Sequence, residues 1–217
     1  ICNKLEKNKL SKKHYLQYKI SYMEWSGVMP SITTKFSNDD KLDLGLFNKN
    51  LDFQLQAGID AIVLGGSLGE ASTLTQDEKN ILTQNTVDFV SNKIPFVVNI
   101  AEQSTKDALK SVKCAEKFGA SGLMVLPPMR YKSGKKETVE YFEAIANSTS
   151  LPIMIYNNPV DYGIEVTIDM FEKLLKCDNI KAVKESTRDI SNVTRLKNAY
   201  GSRLKIMTGV DTIALES

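Results

Sequence analysis

The 217 residues carry 28 basic and 26 acidic side chains and are 42% hydrophobic, the make-up of one soluble globular domain with a sizeable core. No run approaches ~18 consecutive apolar residues, so the sequence predicts no membrane-spanning helix. A single histidine, His14, excludes Ser-His-Asp, Cys-His and His-rich metal chemistry and leaves acid–base work to Tyr, Lys and carboxylates.

Residues 1–22 hold six lysines against Glu6 alone, and the rest of the chain carries 22 basic and 25 acidic residues. The body is therefore near neutral and has no nucleic-acid footprint. Patterned sequence begins at Met23, so residues 1–22 read as a basic, non-native-looking extension and 23–217 as the catalytic domain. No h-region of a signal peptide precedes it. Cys2, Cys114 and Cys177 are far apart and in no metal spacing. That sparse, odd count suits a reducing cytoplasm.

Along the chain, short apolar runs recur at 24–34-residue intervals. They are GVMPSITT from Gly27, AIVLGGS from Ala61, PFVVNIAE from Pro95, GLMVLPP from Gly122, PIMIYNNP from Pro152, IKAVKES from Ile180 and LKIMTGVD from Leu204. Near-continuous apolar runs of this length suit strands buried on both faces of a parallel sheet. Helical patterns fall between them. Thr75 and Glu78 form a capping box, followed by Ile81, Leu82, Phe89 and Val90 on one face. Ala108, Leu109, Val112 and Ala115 repeat the pattern before Gly119, a C-cap signal. Thr167, Met170, Phe171, Leu174 and Leu175 repeat it before Asn179.

Strand–helix units of ~30 residues imply right-handed crossovers, and without a Gly-rich dinucleotide turn they favour a (β/α)8 TIM barrel. The chain stops at DTIALES, so the expectation is a barrel truncated after its seventh strand. Such a barrel has two open, apolar strand edges. Expressed alone it is expected to be insoluble or molten.

Each run ends in polar residues: Thr33 and Thr34, GGSLGE, Asn99 to Glu102, PPMRY, Tyr156 and Asn157, Lys184 to Ser186, and TGVD. In a (β/α)8 barrel all C-terminal strand ends face one mouth. Tyr156 and Lys184, on the fifth and sixth runs, are then neighbours. A lysine amine attacks a ketone only when neutral, and at its ordinary pKa of ~10.4 roughly one in a thousand is neutral near pH 7.4. Desolvation raises that fraction. The product is a Schiff base, and Tyr156 is the natural proton carrier. GGSLGE presents backbone N–H groups suited to a carboxylate. It lacks the GK[ST] of a nucleotide-binding loop.

Together GGSLGEASTLTQDE, YNNP, VKES and TGVD, in that order, resemble the N-acetylneuraminate lyase / dihydrodipicolinate synthase superfamily from about Met23 onward. The resemblance implies that Lys184 forms the Schiff base, that Tyr156 shuttles protons, and that Ser67, Leu68 and Gly69 bind the 2-oxo acid carboxylate. It implies no cofactor or metal, a small-molecule 2-oxo acid as substrate, and a homotetramer for the full-length protein. Departures bear on the substrate. Leu68 replaces a hydroxylated residue and offers backbone N–H only. Arg130 stands where synthases carry a relay tyrosine, with Tyr131 one position later. Asp161 replaces the arginine that holds a second substrate's carboxylate. Arg130, Asp161, Gly209 and Asp211 complete the candidate substrate-binding positions. Asp211 also reads as a cap for the next helix. The pattern resembles the branch acting on hydroxyproline-derived or sugar-acid 2-oxo acids, such as the 1-pyrroline-4-hydroxy-2-carboxylate deaminase. Alternatives are dihydrodipicolinate synthase itself and a non-catalytic relative that binds a 2-oxo acid.

Overall fold

The computed structural model describes residues 23–90, 93–128 and 131–217. The proposed extension, residues 1–22, lies outside them. Six parallel strands pair in chain order: β1 (Ile62–Leu64), β2 (Phe96–Ile100), β3 (Gly122–Val125), β4 (Ile153–Asn157), β5 (Ile180–Glu185) and β6 (Lys205–Thr208). Helix α1 (Leu44–Gln56) precedes β1, and α2 (Gln76–Val90), α3 (Thr105–Lys117) and α4 (Lys135–Ala146) follow β1, β2 and β3. A short helix, α5 (Pro159–Tyr162), and α6 (Ile168–Leu174) lie between β4 and β5, and α7 (Ile190–Tyr200) lies between β5 and β6. This is the α/β architecture of a truncated TIM barrel. Among the described residues no helix is long and apolar enough to cross a membrane.

The first apolar run departs from its expected form. It makes one parallel bridge, Ser31 to Val63, with Val63 N–H donating to Pro30 O and Ile32 N–H donating to Val63 O, each at 3.0 Å. The run thus lies beside β1, where a barrel's first strand belongs, without becoming a regular strand. Pro30 has no N–H to give a ladder. Gly27 turns the chain at a φ of 80°, where the Asp60 carboxylate accepts from Val28 N–H at 2.7 Å. The seventh run is therefore the sixth strand.

Alternation along the strands sorts the core into two layers. Ile62, Leu64, Phe96, Ile100, Leu123, Val125, Ile153, Ile155 and Val183 face the helices. Ala61, Val63, Val97, Met124, Met154, Tyr156 and Ala182 face the interior with Met23 and Trp25. Trp25 closes the N-terminal strand ends. A Cβ on Gly122 would stand 3.2 Å from its ring and 3.1 Å from Pro152 O. The helices cover the outer layer as their periodicity dictates, with one shift of phase. In α2 the buried face is Leu82, Thr83, Thr86, Val87 and Val90, while Ile81 is exposed. The predicted capping box is present: Thr75 N–H donates to Glu78 Oε2 at 2.8 Å, and Glu78 N–H to Thr75 Oγ1 at 3.3 Å. Gly119 follows α3 at a φ of 77°.

The β4–β5 pair is the sheet's most consequential contact. Its register shifts by one residue between Ile153 and Met154, after which Tyr156 pairs with Lys184 and Asn157 with Glu185. Lys181 falls in the bulge and is exposed. On the outer face Glu185 is buried and accepts three hydrogen bonds: Asn157 Nδ2 at 3.1 Å, Asn192 Nδ2 at 3.0 Å and Thr187 N–H at 2.8 Å. Asn157 in turn accepts from Val166 N–H at 2.9 Å. Glu185→Ala strands two buried amide donors, each worth about 1–3 kcal/mol when unsatisfied, and a half-buried third, Thr187 N–H. Denaturant unfolding should show a loss of about 3–5 kcal/mol. A loss below about 1 kcal/mol would mean that water replaces the carboxylate.

Candidate active site

The C-terminal ends of β1, β4, β5 and β6 supply the candidate residues. Tyr156 and Lys184 are register partners on adjacent strands and project to the interior face. Lys184 Nζ lies over the Tyr156 ring, 4.4 Å from its centroid. The lysine stem is confined from the β6 side. A Cβ on Gly209 would fall 2.9 Å from both Cγ and Cε of Lys184 and 1.9 Å from Ser186 Oγ. Gly209 is held there by its N–H bond to Glu185 O at 2.8 Å. Ser186 Oγ, on the same face as Lys184, is buried and has no partner among the described residues.

Ser67, Leu68 and Gly69 form a single 3-10 turn after β1. Among the described residues the N–H groups of Ser67 and Leu68 make no hydrogen bond, as befits the first positions of a helical turn. The Leu68 side chain is exposed. Gly69 is buried, and a Cβ there would stand 2.9 Å from Ile32 O. Thr34 Oγ1 donates to Gly69 O at 2.6 Å, so the first run braces the turn. The Ser67 hydroxyl is hydrogen-bonded to Tyr162 Oη. Tyr162 meets Tyr156 edge to face, with centroids 5.8 Å apart at 76°. Burial pushes the Tyr162 phenol above the ordinary tyrosine range. The bond to Ser67 opposes that, and Tyr156 and the Asp161 carboxylate add to it.

The helix α5 carries the opposite wall. Asn158 caps it by accepting Asp161 N–H at 3.2 Å. The Asn158 amide donates to Tyr156 Oη at 3.1 Å and to Asp161 Oδ2 at 2.7 Å. Asp161 also pairs with Arg188, at 3.7 Å between Oδ1 and the guanidinium. Arg188 stands at a φ of 64°, a left-handed backbone uncommon for any residue but glycine. The structure thus brings together Tyr156, Lys184 and Gly209, and joins Ser67 to Tyr156 through Tyr162. Arg130 lies outside the described residues. Asp211 is exposed in a 3-10 turn, Asp211–Ile213, and its side chain caps nothing. Thr34, Asn158, Tyr162 and Arg188 belong to the site's surroundings and were not singled out from sequence as functional side chains. YNNP and the strand-end Thr33–Thr34 pair pointed at two of them.

Comparison with known proteins places the chain in a family. The sequence profile of the dihydrodipicolinate synthetase family matches residues 24–217. The 4-hydroxy-tetrahydrodipicolinate synthase of Rickettsia bellii is 32% identical over 191 residues, which are 88% of this chain and 65% of the relative. The chain thus spans less than two thirds of that relative's length. Among solved structures, the 4-hydroxy-tetrahydrodipicolinate synthase of Methylacidiphilum fumariolicum superposes with a TM-score of 0.86 at 30% identity, covering 89% of this chain and 64% of that one. YagE, an E. coli prophage protein of the dihydrodipicolinic acid synthase family solved in complex with pyruvate, gives 0.84 at 25% identity, covering 88% and 65%.

The close approach of Gly209 to Lys184 generates a prediction. Gly209→Ala should displace the amine and cut borohydride-trapped pyruvate adduct by at least tenfold, while the far-ultraviolet circular dichroism stays unchanged. Wild-type trapping in that variant would show that the lysine stem can shift aside without cost.

Proposed function

The chain belongs to the dihydrodipicolinate synthetase family, and from that membership we propose that it forms a lysine Schiff base with a 2-oxo acid or a pyrroline carboxylate. The observation that carries the reading is the Lys184 amine lying 4.4 Å from the Tyr156 ring centroid on paired strands. The neutral amine adds to the carbonyl or imine carbon. On a 2-oxo acid the nitrogen gives up one proton, the oxygen takes that proton and a second one from the Tyr156 phenol, and water departs, leaving an iminium and a phenolate ready to take the C3 proton. On a pyrroline carboxylate the ring nitrogen is the leaving amine. The iminium is an electron sink. Loss of a C3 proton, cleavage of the bond beyond C3, or expulsion of a hydroxyl all pass through the same enamine. Tyr156 moves the protons. The substrate carboxylate sits on the free N–H groups of Ser67 and Leu68, in the turn that Gly69 completes by packing against Ile32 O. Arg130, Gly209 and Asp211 are the remaining proposed substrate contacts. The intact protein is proposed to be a homotetramer.

A second reading, 4-hydroxy-tetrahydrodipicolinate synthase, is favoured by the names of the curated relatives. The Asp161 carboxylate weighs against it, because it presents negative charge where a second substrate carboxylate would be received. A panel of 2-oxo acids and pyrroline carboxylates, assayed against pyruvate with aspartate semialdehyde, separates the two. Condensation activity in wild type, raised further by Asp161→Arg, would establish the second.

Two predictions test the shared chemistry. Borohydride with pyruvate should add one adduct on the peptide carrying Lys184, and Lys184→Ala should abolish it; label on Lys181 would refute the assignment. Tyr156→Phe should lower the turnover rate by ~10²–10⁴, the worth of positioned acid–base catalysis, with the fold retained. A loss below tenfold would transfer the proton to the Ser67–Tyr162 pair or to water.

A further inference from the structure

We propose that Asn158 is a positioning residue for Tyr156: its buried amide donates to the phenol oxygen and so directs the phenol's own proton away from the protein wall and into the mouth. The inference deepens the Schiff-base reading and rests on Tyr156 carrying the proton.

Alternation places Asn158 on the same face as Tyr156, with Asn157 turned outward between them. Asn158 is 4% exposed. Its two amide ends cannot be exchanged. Asp161 N–H can only donate, and it occupies Oδ1 at 3.2 Å; the Asp161 carboxylate accepts from Nδ2 at 2.7 Å. Nδ2 therefore faces Tyr156 Oη at 3.1 Å as a donor. A phenol oxygen has one proton to give and lone pairs to accept with. With an acceptor site engaged by Asn158, the hydroxyl rotor loses the orientation that points at α5. A residue that only capped α5 needs no more than the Oδ1 contact. The second contact, to the phenol, is surplus to the cap and is the one assigned a role in proton transfer.

The test separates the two contacts. Asn158→Ser keeps a good N-cap acceptor and removes the amide donor. Asn158→Asp keeps size and cap and puts an acceptor against the phenol. The readout is loss of the pyruvate methyl signal by proton NMR in deuterium oxide, which reports enamine formation, run alongside borohydride trapping at Lys184. Asn158→Ser should slow maximal exchange about tenfold or more and Asn158→Asp further, with the pyruvate concentration at half-saturation within about twofold and endpoint trapping unchanged. In a Tyr156→Phe background both substitutions should have less than a twofold effect, because the atom they act through is gone. Equal losses in both backgrounds would make Asn158 a structural cap and overturn the proposal, as would wild-type exchange in both variants. Failure of the underlying reading looks different: no adduct at Lys184, or Tyr156→Phe exchanging within tenfold of wild type, removes the site assignment and this proposal with it.

Discussion

A buried carboxylate that has no cationic partner among the described residues is the constraint on which this structure turns. Glu185 sits beneath α7 on the outer face of the sheet, and its oxygens are taken by Asn157, Asn192 and Thr187. Removing a charge from water costs several kcal/mol unless directed donors replace the lost hydration. Those donors come from β4, from α7 and from the loop between β5 and α7. Satisfying one side chain therefore ties three elements together. Because alternate residues face opposite ways, fixing Asn157 and Glu185 outward fixes Tyr156 and Lys184 inward as a pair. The candidate chemistry lies on one side of the sheet and its anchorage on the other.

The same division of labour runs around the mouth. On β1 the turn Ser67–Gly69 is too tight for a side chain at Gly69 and is braced by Thr34 Oγ1. On β6 Gly209 leaves room for the lysine stem. After β4, Pro159 starts α5 at its first position, where a missing N–H costs nothing, and Asn158 caps it. Four residues of helix are enough to swing Tyr162 back over Tyr156 and onto Ser67. The opposite ends of the strands are plugged by Trp25 against Gly122.

Much of this was legible in the sequence, for reasons that differ by feature. The strands β1 to β6 announced themselves because a sheet buried on both faces needs near-continuous apolar runs. The pairing of Tyr156 with Lys184 followed from parallel strands ending at one mouth. The first run misled because Pro30 was read only as part of an apolar stretch, although its missing N–H forbids a full ladder. Ile81 misled because neighbouring apolar residues on a helix leave its phase open by one position. What sequence could not reach were contacts between distant positions. Ser67 and Tyr162 are separated by 95 residues, and nothing in either neighbourhood names the other. Asn158 entered only as a letter of YNNP, and its amide bond to the phenol exists because alternation sets it beside Tyr156.

Asp161 shows why a single substitution is a poor guide to a site's charge. Taken alone, an acidic residue in place of an arginine predicts a mouth hostile to a second carboxylate. In the folded chain Arg188 stands opposite it, the two at 53% and 59% side-chain exposure. So exposed a pair adds little to stability, which leaves its ions able to part without a large penalty. The Asp161 carboxylate, however, is bound more closely on its other side, by the Asn158 amide at 2.7 Å. The two partners take different oxygens, the amide Oδ2 and the guanidinium Oδ1, so the carboxylate holds both contacts at once. The charge fixed on α5 is therefore negative, and the guanidinium beside it comes from the loop after β5.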